Sequence, residues 1–415
     1  MDLNLLTSEY SNCACGVEHT LNTRVIKCES GLVKRVGREL KDAGFPTRIL
    51  FLADENTLKA ADGILESLNG FTILDTIIYP DLRVADMVEV EKLQSRIKSV
   101  DGVLACGTGS LHDTARLACA RENKPLCLFA TAPSMDGFAS YGAPITNGNF
   151  KVTYPAKSPE VVLADSRILA LAPTELKSAG FGDMIGKYVG LIDWEVSTLL
   201  TGEYWCDKVA GLTRKATDDI FALADKVTLS DEETAKQIFD SLILTGVGMS
   251  FTKTSRPASG TEHILSHFWE CKKLLDGKIS DFHGKKVGVA TLLIMKEYEQ
   301  FASIKNLDAH YEKVDWDNVK SIYGPLYEEV EKLNFPKSIM DGITPELVNS
   351  NWSKITQIVK NVPSYSEIYD AMSRAGCALT PSDIDVSDQL VREGMAYHPY
   401  MRARMSLYRL KDMIR

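Results

Sequence analysis

Residues 1–172 alternate between short apolar runs and amphipathic stretches. The apolar runs 47–54 (TRILFLAD), 71–80 (FTILDTIIYP), 102–110 (GVLACGTGS) and 125–134 (PLCLFATAPS) predict buried strands. Segments 30–44, 56–70, 87–99 and 111–124 lie before or between them and have helical periodicity. This order predicts an α/β domain whose parallel sheet is covered by helices and binds ligands at the carboxyl ends of its strands.

From Pro173 onward the strand signals nearly vanish. Segments 172–200, 207–226, 231–251, 285–301 and 325–334 are amphipathic at helical spacing. We therefore expect a second, all-α domain over residues 173–415, with the binding site in the cleft between the domains. The basic stretch 400–415 predicts a solvated helix with Leu407 and Leu410 packed inward.

Composition and charge narrow the class of protein. A hydrophobic content of 45% and a charged content of 25% are typical of a globular chain of 415 residues. No apolar run approaches the roughly 18–20 residues of a membrane span. The first residues do not have the pattern of a secretory signal, so we expect a cytoplasmic location. A net charge of −9 argues against nucleic acid as a partner but allows a small anionic substrate.

Nine cysteines, odd in number and scattered, argue against a disulfide framework. The segment CACGVEH places Cys13, Cys15 and His19 close together. Cys-x-Cys is not the usual zinc spacing, and no second cysteine pair follows. The sequence therefore argues against a metal site at this segment.

A glycine turn joins the third predicted strand to its helix. Gly107, Thr108, Gly109 and Ser110 would let backbone N–H groups approach a pyrophosphate at a helix N-terminus. The turn lacks the G-x-G-x-x-G spacing, so a tight turn without a ligand is an equal alternative. Asp54 ends the first predicted strand, where its carboxylate would either accept hydrogen bonds from a ribose or cap the next helix.

The chain has seven histidines, and three of them lie in neighbouring segments of the helical part. His263 and His267 are one helical turn apart, and His283 follows. Upstream, Asp183 and Lys187 share another turn. One Asp and two His with an open position are typical of a catalytic divalent-metal site. Ordinary histidines on a half-buried helix are the alternative.

Five segments in this order carry a resemblance to a known family: GTGSLHD, TAPSMDGFAS, SAGFGDMIGKY, SRPASGTEHILSHFWE and HGKKVGVA. They resemble the sn-glycerol-1-phosphate dehydrogenases, which share a superfamily with glycerol dehydrogenase, iron-containing alcohol dehydrogenases and dehydroquinate synthase. The resemblance covers residues 20–300 well. It implies a dehydroquinate synthase-like fold, with a dinucleotide-binding domain over residues 1–172 and a helical metal- and substrate-binding domain over residues 173–415.

The same resemblance implies an activity and its cofactors. We expect a reversible, metal-dependent reduction of dihydroxyacetone phosphate to sn-glycerol 1-phosphate by NADH or NADPH. Zinc is the first choice of metal and nickel the second, because imidazole and carboxylate ligands suit both. We also expect a homodimer and a role in phospholipid metabolism.

The resemblance assigns roles to individual residues. The implied metal ligands are Asp183, His263 and His283. The cofactor would contact Gly107, Thr108, Gly109, Ser110, Asp113, Thr131 and Ser134, with Asp54 added from its place at a strand end. The substrate would contact Asp136 and His267, and we expect contacts to its phosphate from Lys151, Lys187 and Arg256. The expected catalytic residues are His267, as a proton donor, with Asp136 and Lys187.

Two alternatives lie within the same superfamily. One is a glycerol dehydrogenase-like oxidoreductase that acts on an unphosphorylated polyol. The other is a dehydroquinate synthase-type cyclase or lyase that uses NAD only transiently. That branch places Glu where this chain has Asp183, which counts against the lyase.

Overall fold

The computed structural model describes residues 3–414. The strands are β1 (Val25–Glu29), β2 (Arg48–Asp54), β3 (Thr72–Tyr79), β4 (Gly102–Gly107), β5 (Leu126–Ala130), β6 (Gly142–Asn147), β7 (Phe150–Pro155) and β8 (Val161–Asp165). The helices up to the last strand are α1 (Leu3–Tyr10), α2 (Val36–Asp42), α3 (Glu55–Ala60), α4 (Met87–Arg96) and α5 (Gly109–Arg121).

The remaining helices follow β8. They are α6 (Ser166–Leu171), α7 (Thr174–Ile185), α8 (Lys187–Thr201), α9 (Asp207–Phe221), α10 (Glu232–Thr252), α11 (Thr261–Leu275), α12 (His283–Ala302), α13 (Trp316–Tyr323), α14 (Tyr327–Asn334), α15 (Pro345–Lys360), α16 (Tyr365–Arg374), α17 (Asp388–Tyr397) and α18 (Lys411–Ile414). No helix within residues 3–414 combines the length and apolar character that crossing a membrane requires.

Six of the strands form one parallel sheet in the order β1-β8-β5-β4-β2-β3, and β6 and β7 form a separate antiparallel hairpin. Ala53 of β2 pairs with Cys106 of β4, and Gly107 of β4 pairs with Ala130 of β5. The register therefore brings the carboxyl ends of these three strands to one edge of the sheet. This arrangement confirms the predicted parallel α/β fold.

Helices on both faces explain why the central strands are continuous apolar runs. Leu50 and Leu52 of β2 pack in the same core cluster as Leu93 of α4. Ile49 and Phe51 alternate with them and belong to a second cluster on the opposite face of the sheet, which includes residues of α2.

Two predicted elements differ from the observed ones. The helix predicted over 56–70 ends at Ala60, and turns follow it. These turns bury Ala61, Ile64 and Leu68, the apolar positions that produced the helical pattern. The single solvated helix predicted over 400–415 is wrong, because Leu407–Leu410 forms a 3₁₀ turn before α18. Its leucines nevertheless point inward as predicted, since this segment packs in the core of the helical part.

After Asp165 the described residues form only helices, turns and irregular segments. The helices α7 and α12 approach closely because Gly284 has no side chain. A Cβ atom at Gly284 would lie 1.9 Å from the carbonyl oxygen of Ala179. This contact brings Asp183 of α7 beside His283, the first residue of α12. The domain division at residue 173 stays a prediction.

Candidate active site

A cavity of about 770 Å³ opens between the carboxyl edge of the parallel sheet and the helical part of the chain. Asp54, Thr108 and Thr131 line it from the sheet, and His263 and His283 line it from the helices. The cavity therefore lies where both the strand order and the cleft argument predict a ligand site.

Most of the predicted site residues line this cavity. They are Asp54, Thr108, Gly109, Ser110, Asp113, Thr131, Ser134, Asp136, Lys151, His263, His267 and His283. Asp183 and Lys187 lie immediately behind the wall with no exposed surface, and Gly107 is the last residue of β4. Arg256 does not face the cavity.

Asp183, His263 and His283 converge on one point. Each offers a ligand atom, and these atoms all lie within 4.8 Å of one another. Asp183 Oδ1 is 3.5 Å from His263 Nε2 and 4.0 Å from His283 Nε2. Ligands at about 2.0–2.1 Å from a tetrahedral metal would be about 3.3 Å apart, so a small contraction would close this set around an ion. The donor set fits a divalent metal.

Glu262 orients one of these histidines. Its Oε1 lies 2.5 Å from His263 Nδ1 and also accepts a hydrogen bond from the Gly260 N–H. A proton on Nδ1 leaves the Nε2 lone pair facing Asp183. This is the carboxylate–histidine arrangement that commonly fixes the tautomer of a metal ligand.

Lys187 joins the metal-ligand helix to the loop after β5. Its ammonium lies 2.7 Å from both Asp183 Oδ1 and Asp136 Oδ2, and the Asp136 N–H donates to Asp183 Oδ2 at 3.0 Å. Burial raises the pKa of Asp136, and the charge of Asp183 raises it further. Burial acts the same way on Asp183, but Lys187 and the nearby histidines outweigh it and hold its pKa well below the usual value.

His267 faces a group of buried charges on the other side of the cavity. Glu270 accepts hydrogen bonds from Lys151 at 2.9 Å and Lys286 at 2.7 Å, and it lies 3.8 Å from His267 Nδ1. Burial lowers the pKa of His267 to about 3, and the charges of Arg402 and Lys151 act in the same direction against the pull of Glu270. The imidazole is therefore neutral near pH 7, whereas the proton-donor hypothesis requires a pKa near the working pH.

Comparison with known proteins identifies the family. The chain is 31% identical to glycerol-1-phosphate dehydrogenase [NAD(P)+] of Geobacillus stearothermophilus over 88% of this chain and 87% of that protein. The protein of the same name from Halalkalibacterium halodurans is 28% identical over 96% of this chain and 94% of its own. The chain belongs to the glycerol-1-phosphate dehydrogenase family. It is therefore an oxidoreductase, and NAD(P) and a divalent metal are the cofactors that fit this family.

Two further comparisons agree with this family. Residues 27–173 match the iron-containing alcohol dehydrogenase family. A butanol dehydrogenase from Thermotoga maritima has the same fold, with a TM-score of 0.59, 15% identity and coverage of 94% of this chain and 92% of that chain. A probable glycerol dehydrogenase from Sinorhizobium meliloti has a TM-score of 0.56 at 17% identity, covering 86% and 96% of the two chains.

The glycine turn leads directly into α5. Thr108 is the N-cap without a side-chain hydrogen bond to the helix, so the first turn of α5 meets the cavity with its backbone N–H groups. Ser110 Oγ donates to the Arg83 carbonyl at 2.8 Å and fixes an adjoining loop. The helix start therefore has the properties of an anion site.

Two acidic residues at this edge have structural partners. Asp54 Oδ1 accepts from the Thr57 N–H at 2.8 Å, so the capping alternative is present, while the residue also lines the cavity. Asp113 forms a buried ion pair with Arg116. Burial raises the pKa of Asp113 to about 6, although Arg116 opposes the shift. Arg116 also donates to the Gly137 carbonyl and thereby holds the loop that carries Asp136.

The structure does not bring Arg256 to the substrate cavity. Its guanidinium donates to Glu203 at 2.5 and 2.7 Å, to the Met405 carbonyl at 2.8 Å and to Ser197 Oγ at 3.1 Å. These contacts turn the guanidinium away from the cavity. The expected phosphate contact from Arg256 is therefore corrected, because its hydrogen-bonding groups already have protein partners.

Sequence reasoning missed four residues of this candidate site: Glu262, Glu270, Lys286 and Arg116. All four had a local signal. Glu262 directly precedes His263, and Glu270 and Lys286 each follow a site histidine by three residues, which places them on the same helical face. Arg116 stands three residues after Asp113 in the same way.

Proposed function

We propose that this protein catalyses the reversible reduction of dihydroxyacetone phosphate to sn-glycerol 1-phosphate by NADH or NADPH. One observation carries the proposal: His263 and His283 line the same cavity as the open start of α5, and Asp183 lies directly behind them. A metal-dependent dehydrogenase needs a carbonyl-binding centre and a dinucleotide site within reach of each other. The names of the relatives supply the substrate.

The metal would be held by Asp183, His263 and His283. A bound divalent ion acts as a Lewis acid that withdraws electron density from a carbonyl oxygen. Zinc is the first choice and nickel the second, because nitrogen and oxygen donors suit both. Glu262 would keep His263 in the ligating tautomer, and Lys187 would keep Asp183 ionised and aligned.

The dinucleotide would lie along the carboxyl edge of the sheet. NADH or NADPH supplies the hydride. The start of α5, from Thr108 to Ser110, would bind the pyrophosphate, and Thr131 and Ser134 would lie between nicotinamide and substrate. Asp54 has one oxygen in its helix cap, and the other would accept from a ribose hydroxyl. A carboxylate there would repel a 2′-phosphate, which favours NAD over NADP.

The substrate phosphate would bind near Lys151 and Lys286. Both ammonium groups are buried at the cavity wall and share the single carboxylate of Glu270. Two cations against one anion leave a net positive charge, which suits a phosphate. Lys286 takes the place that Arg256 had in the expectation from sequence.

His267 would deliver the proton that the product hydroxyl needs. Its ring lies 6.3 Å from the His263 ring and 5.7 Å from the His283 ring, measured between centroids. The low pKa of His267 makes its imidazolium a strong acid that is scarce in the substrate-free enzyme. A phosphate dianion bound beside Lys151 would raise this pKa toward the working range.

The test measures loss of reduced-nicotinamide absorbance by the metal-loaded protein. We expect oxidation of NADH with dihydroxyacetone phosphate, much less with dihydroxyacetone, and none after chelation. Lys151→Met and Lys286→Met should lower kcat/KM for the phosphorylated substrate by about 10- to 100-fold, the value of one charged hydrogen bond. Lys285→Met is the matched control, because Lys285 pairs with Asp281 and not with Glu270.

Two results would contradict the proposal. Equal rates with dihydroxyacetone would indicate an unphosphorylated polyol as the substrate. No net oxidation of NADH with any substrate would redirect attention to a cyclase or lyase that regenerates its NAD. If NADH oxidation requires the phosphorylated substrate, chiral analysis of the product establishes whether sn-glycerol 1-phosphate is formed.

Three finer expectations extend the proposal. We propose that the protein is a cytoplasmic homodimer with a role in phospholipid metabolism. Light scattering measures the oligomeric state. Fractionation of cells measures the location, and lipid analysis after deletion of the gene measures the use of the product.

A further inference from the structure

A second group of metal-binding side chains lies outside the active-site cavity. It consists of Cys13, Cys15, His19 and Cys206, whose ligand atoms all lie within 4.8 Å of one another. Cys13 Sγ is 3.5 Å from Cys206 Sγ, and His19 Nε2 is 3.3 Å from Cys15 Sγ and 3.4 Å from Cys206 Sγ. None of the four lines the cavity.

The backbone around Cys13 and Cys15 directs both sulfurs to one side. The Gly16 N–H donates to the Cys13 carbonyl at 3.3 Å and closes a tight turn. Gly16 has a φ of +78°, a conformation that residues with a side chain rarely adopt. The C-A-C-G order therefore has a local reason: its glycine permits the turn that brings the two thiols together.

His19 and Cys206 are held independently of that turn. His19 is 1% exposed, and its Nδ1 lies 3.1 Å from the Phe251 carbonyl, which can only accept a hydrogen bond. The proton must then be on Nδ1, and the Nε2 lone pair faces the three sulfurs. Cys206 is fully buried and is the N-cap of α9.

We propose that Cys13, Cys15, His19 and Cys206 bind one zinc ion that links the N-terminal segment to the helical part. In a tetrahedral site with Zn–S near 2.3 Å and Zn–N near 2.0–2.1 Å, neighbouring ligand atoms are about 3.5–3.8 Å apart. The three distances above are within a few tenths of an ångström of these edges. Three sulfurs and one imidazole nitrogen form one of the standard ligand sets of structural zinc.

The chemistry of the site is structural and not catalytic. Four protein ligands leave no open position for water or substrate. Binding would release the thiol protons to solvent, and three thiolates with one neutral imidazole would leave a net charge of −1 on the centre. The Tyr204 hydroxyl donates to Cys15 Sγ at 3.3 Å and would stabilise that negative charge.

The ion would fasten the N-terminal segment to residues that are distant in the chain. Cys13 and Cys206 are 193 residues apart in the chain, and His19 and Phe251 are 232 apart. Tyr10 adds an apolar contact to the same region, with its ring stacked 5.1 Å from the Phe251 ring. Closing so long a loop by metal ligation should raise the stability of this part of the fold.

Cobalt(II) titration of the full-length, metal-free protein under reducing conditions tests the proposal. We expect two equivalents per chain, one of which gives sulfur-to-cobalt charge-transfer absorption. Cys13→Ser and Cys206→Ser should each lose that absorption and one equivalent. His263→Ala should keep the absorption and lose the other equivalent. Cys377→Ser is the matched control, because Cys377 is also half-buried and its thiol donates to the Ser178 carbonyl, which a hydroxyl can replace.

Three results would overturn the site. The first is a wild-type protein that binds cobalt without charge-transfer absorption. The second is a Cys13–Cys206 disulfide in protein that contains its full metal content. The third is measured on His263→Ala, so it applies even where the cysteine variants fail to fold. The active-site ligand set of this variant is broken, so added zinc should raise its Tm by binding at the second site. An unchanged Tm there would exclude the second site whatever the activity of the enzyme.

Discussion

The three histidines around the cavity differ in what surrounds each ring. His263 and His283 direct Nε2 toward the carboxylate of Asp183, whereas His267 lies nearest Glu270 and the two lysines. Identical side chains within two helices can therefore have different roles, which depend on the charges beside them.

Alanine substitutions should separate these roles. We expect His263→Ala and His283→Ala to lose both metal and activity, because each removes one of three ligands. His267→Ala should keep the metal and lower kcat by about 10²- to 10⁴-fold, the usual contribution of a positioned proton donor. Metal analysis together with initial rates measures both effects. Loss of metal from His267→Ala would assign that ring to the ligand set.

Glu262 should control metal affinity without binding the metal. Glu262→Gln keeps the shape of the side chain but removes the charge that faces His263 Nδ1. We expect metal affinity to fall by about 10- to 100-fold, as for other partners of ligating histidines. Competition with a chelator measures it.

Asp193→Asn is the control for that variant. Asp193 is another buried carboxylate near the start of α11, where it accepts from the Thr261 N–H at 2.7 Å without contacting a histidine. Its substitution should alter stability more than metal affinity. Equal affinity losses in both variants would indicate a general loosening of α11.

At the scale of elements, the metal site depends on how closely α7 and α12 approach. Asp183 and His283 lie on different helices, so the distance between the helices determines the distance between these two ligands. The absent side chain of Gly284 is what permits the approach. Helix packing and metal binding are therefore coupled at this contact.

Gly284→Ala should force the two helices apart. We expect a destabilisation of about 1–3 kcal/mol, typical of overpacking, together with weaker metal binding. Gly211→Ala on α9 is the matched control, because nothing lies within 4 Å of its added Cβ. That variant should keep its metal and gain about 0.5–1 kcal/mol. Urea unfolding and metal titration of both proteins check the pair. Unchanged metal affinity in Gly284→Ala would show that the packing of α7 against α12 does not determine metal binding.

The elements also show what could be predicted from the sequence. The strands β2, β3, β4 and β5 were predicted because their runs are long and apolar. β1 contains Lys27 and Glu29, and the β6–β7 hairpin includes polar residues, so these patterns were too mixed to stand out, whereas β8 is as short and apolar as β5 and was missed. β1 pairs with β8, from Val25 with Val161 to Glu29 with Asp165, and local periodicity does not report pairing between such distant segments.

The residues of the candidate site also divide into those that could be predicted from the sequence and those that could not. Asp183, His263 and His283 could be predicted as a group, because helical spacing and the family resemblance both indicate them. Arg256 was misplaced, since its partner Glu203 is 53 residues away in the chain. Cys206 was missed as the fourth member of the cysteine group for the same reason, being 187 residues beyond His19.

At the scale of the whole molecule, buried histidines should make the protein sensitive to acid. Burial lowers the pKa of His398 to about 3, and the charge of Lys411 acts in the same direction. In the unfolded chain the value is about 6.5, so the unfolded state binds an extra proton between these limits. The free energy of unfolding should therefore fall as the pH decreases from about 6.5, by at most about 1.4 kcal/mol per pH unit for this residue.

His398→Gln should remove that part of the pH dependence. The slope of unfolding free energy against pH should become shallower than in the wild type between pH values of about 4 and 6.5. His310→Gln, at an exposed position, is the control and should leave the slope nearly unchanged. Urea unfolding across this pH range gives the slopes. Parallel curves for His398→Gln and the wild type would contradict the burial argument.

The ion pair of Lys187 has a consequence for the order in which the enzyme matures. Its ammonium pairs with both Asp183 and Asp136 inside the protein, and burial raises the pKa of Asp136, so the chain can bury both carboxyl groups before any ion arrives. Newly made protein would then reach its final shape first and acquire its active-site metal afterwards. Supply of that metal in the cell would regulate the fraction of active molecules without changing how many fold.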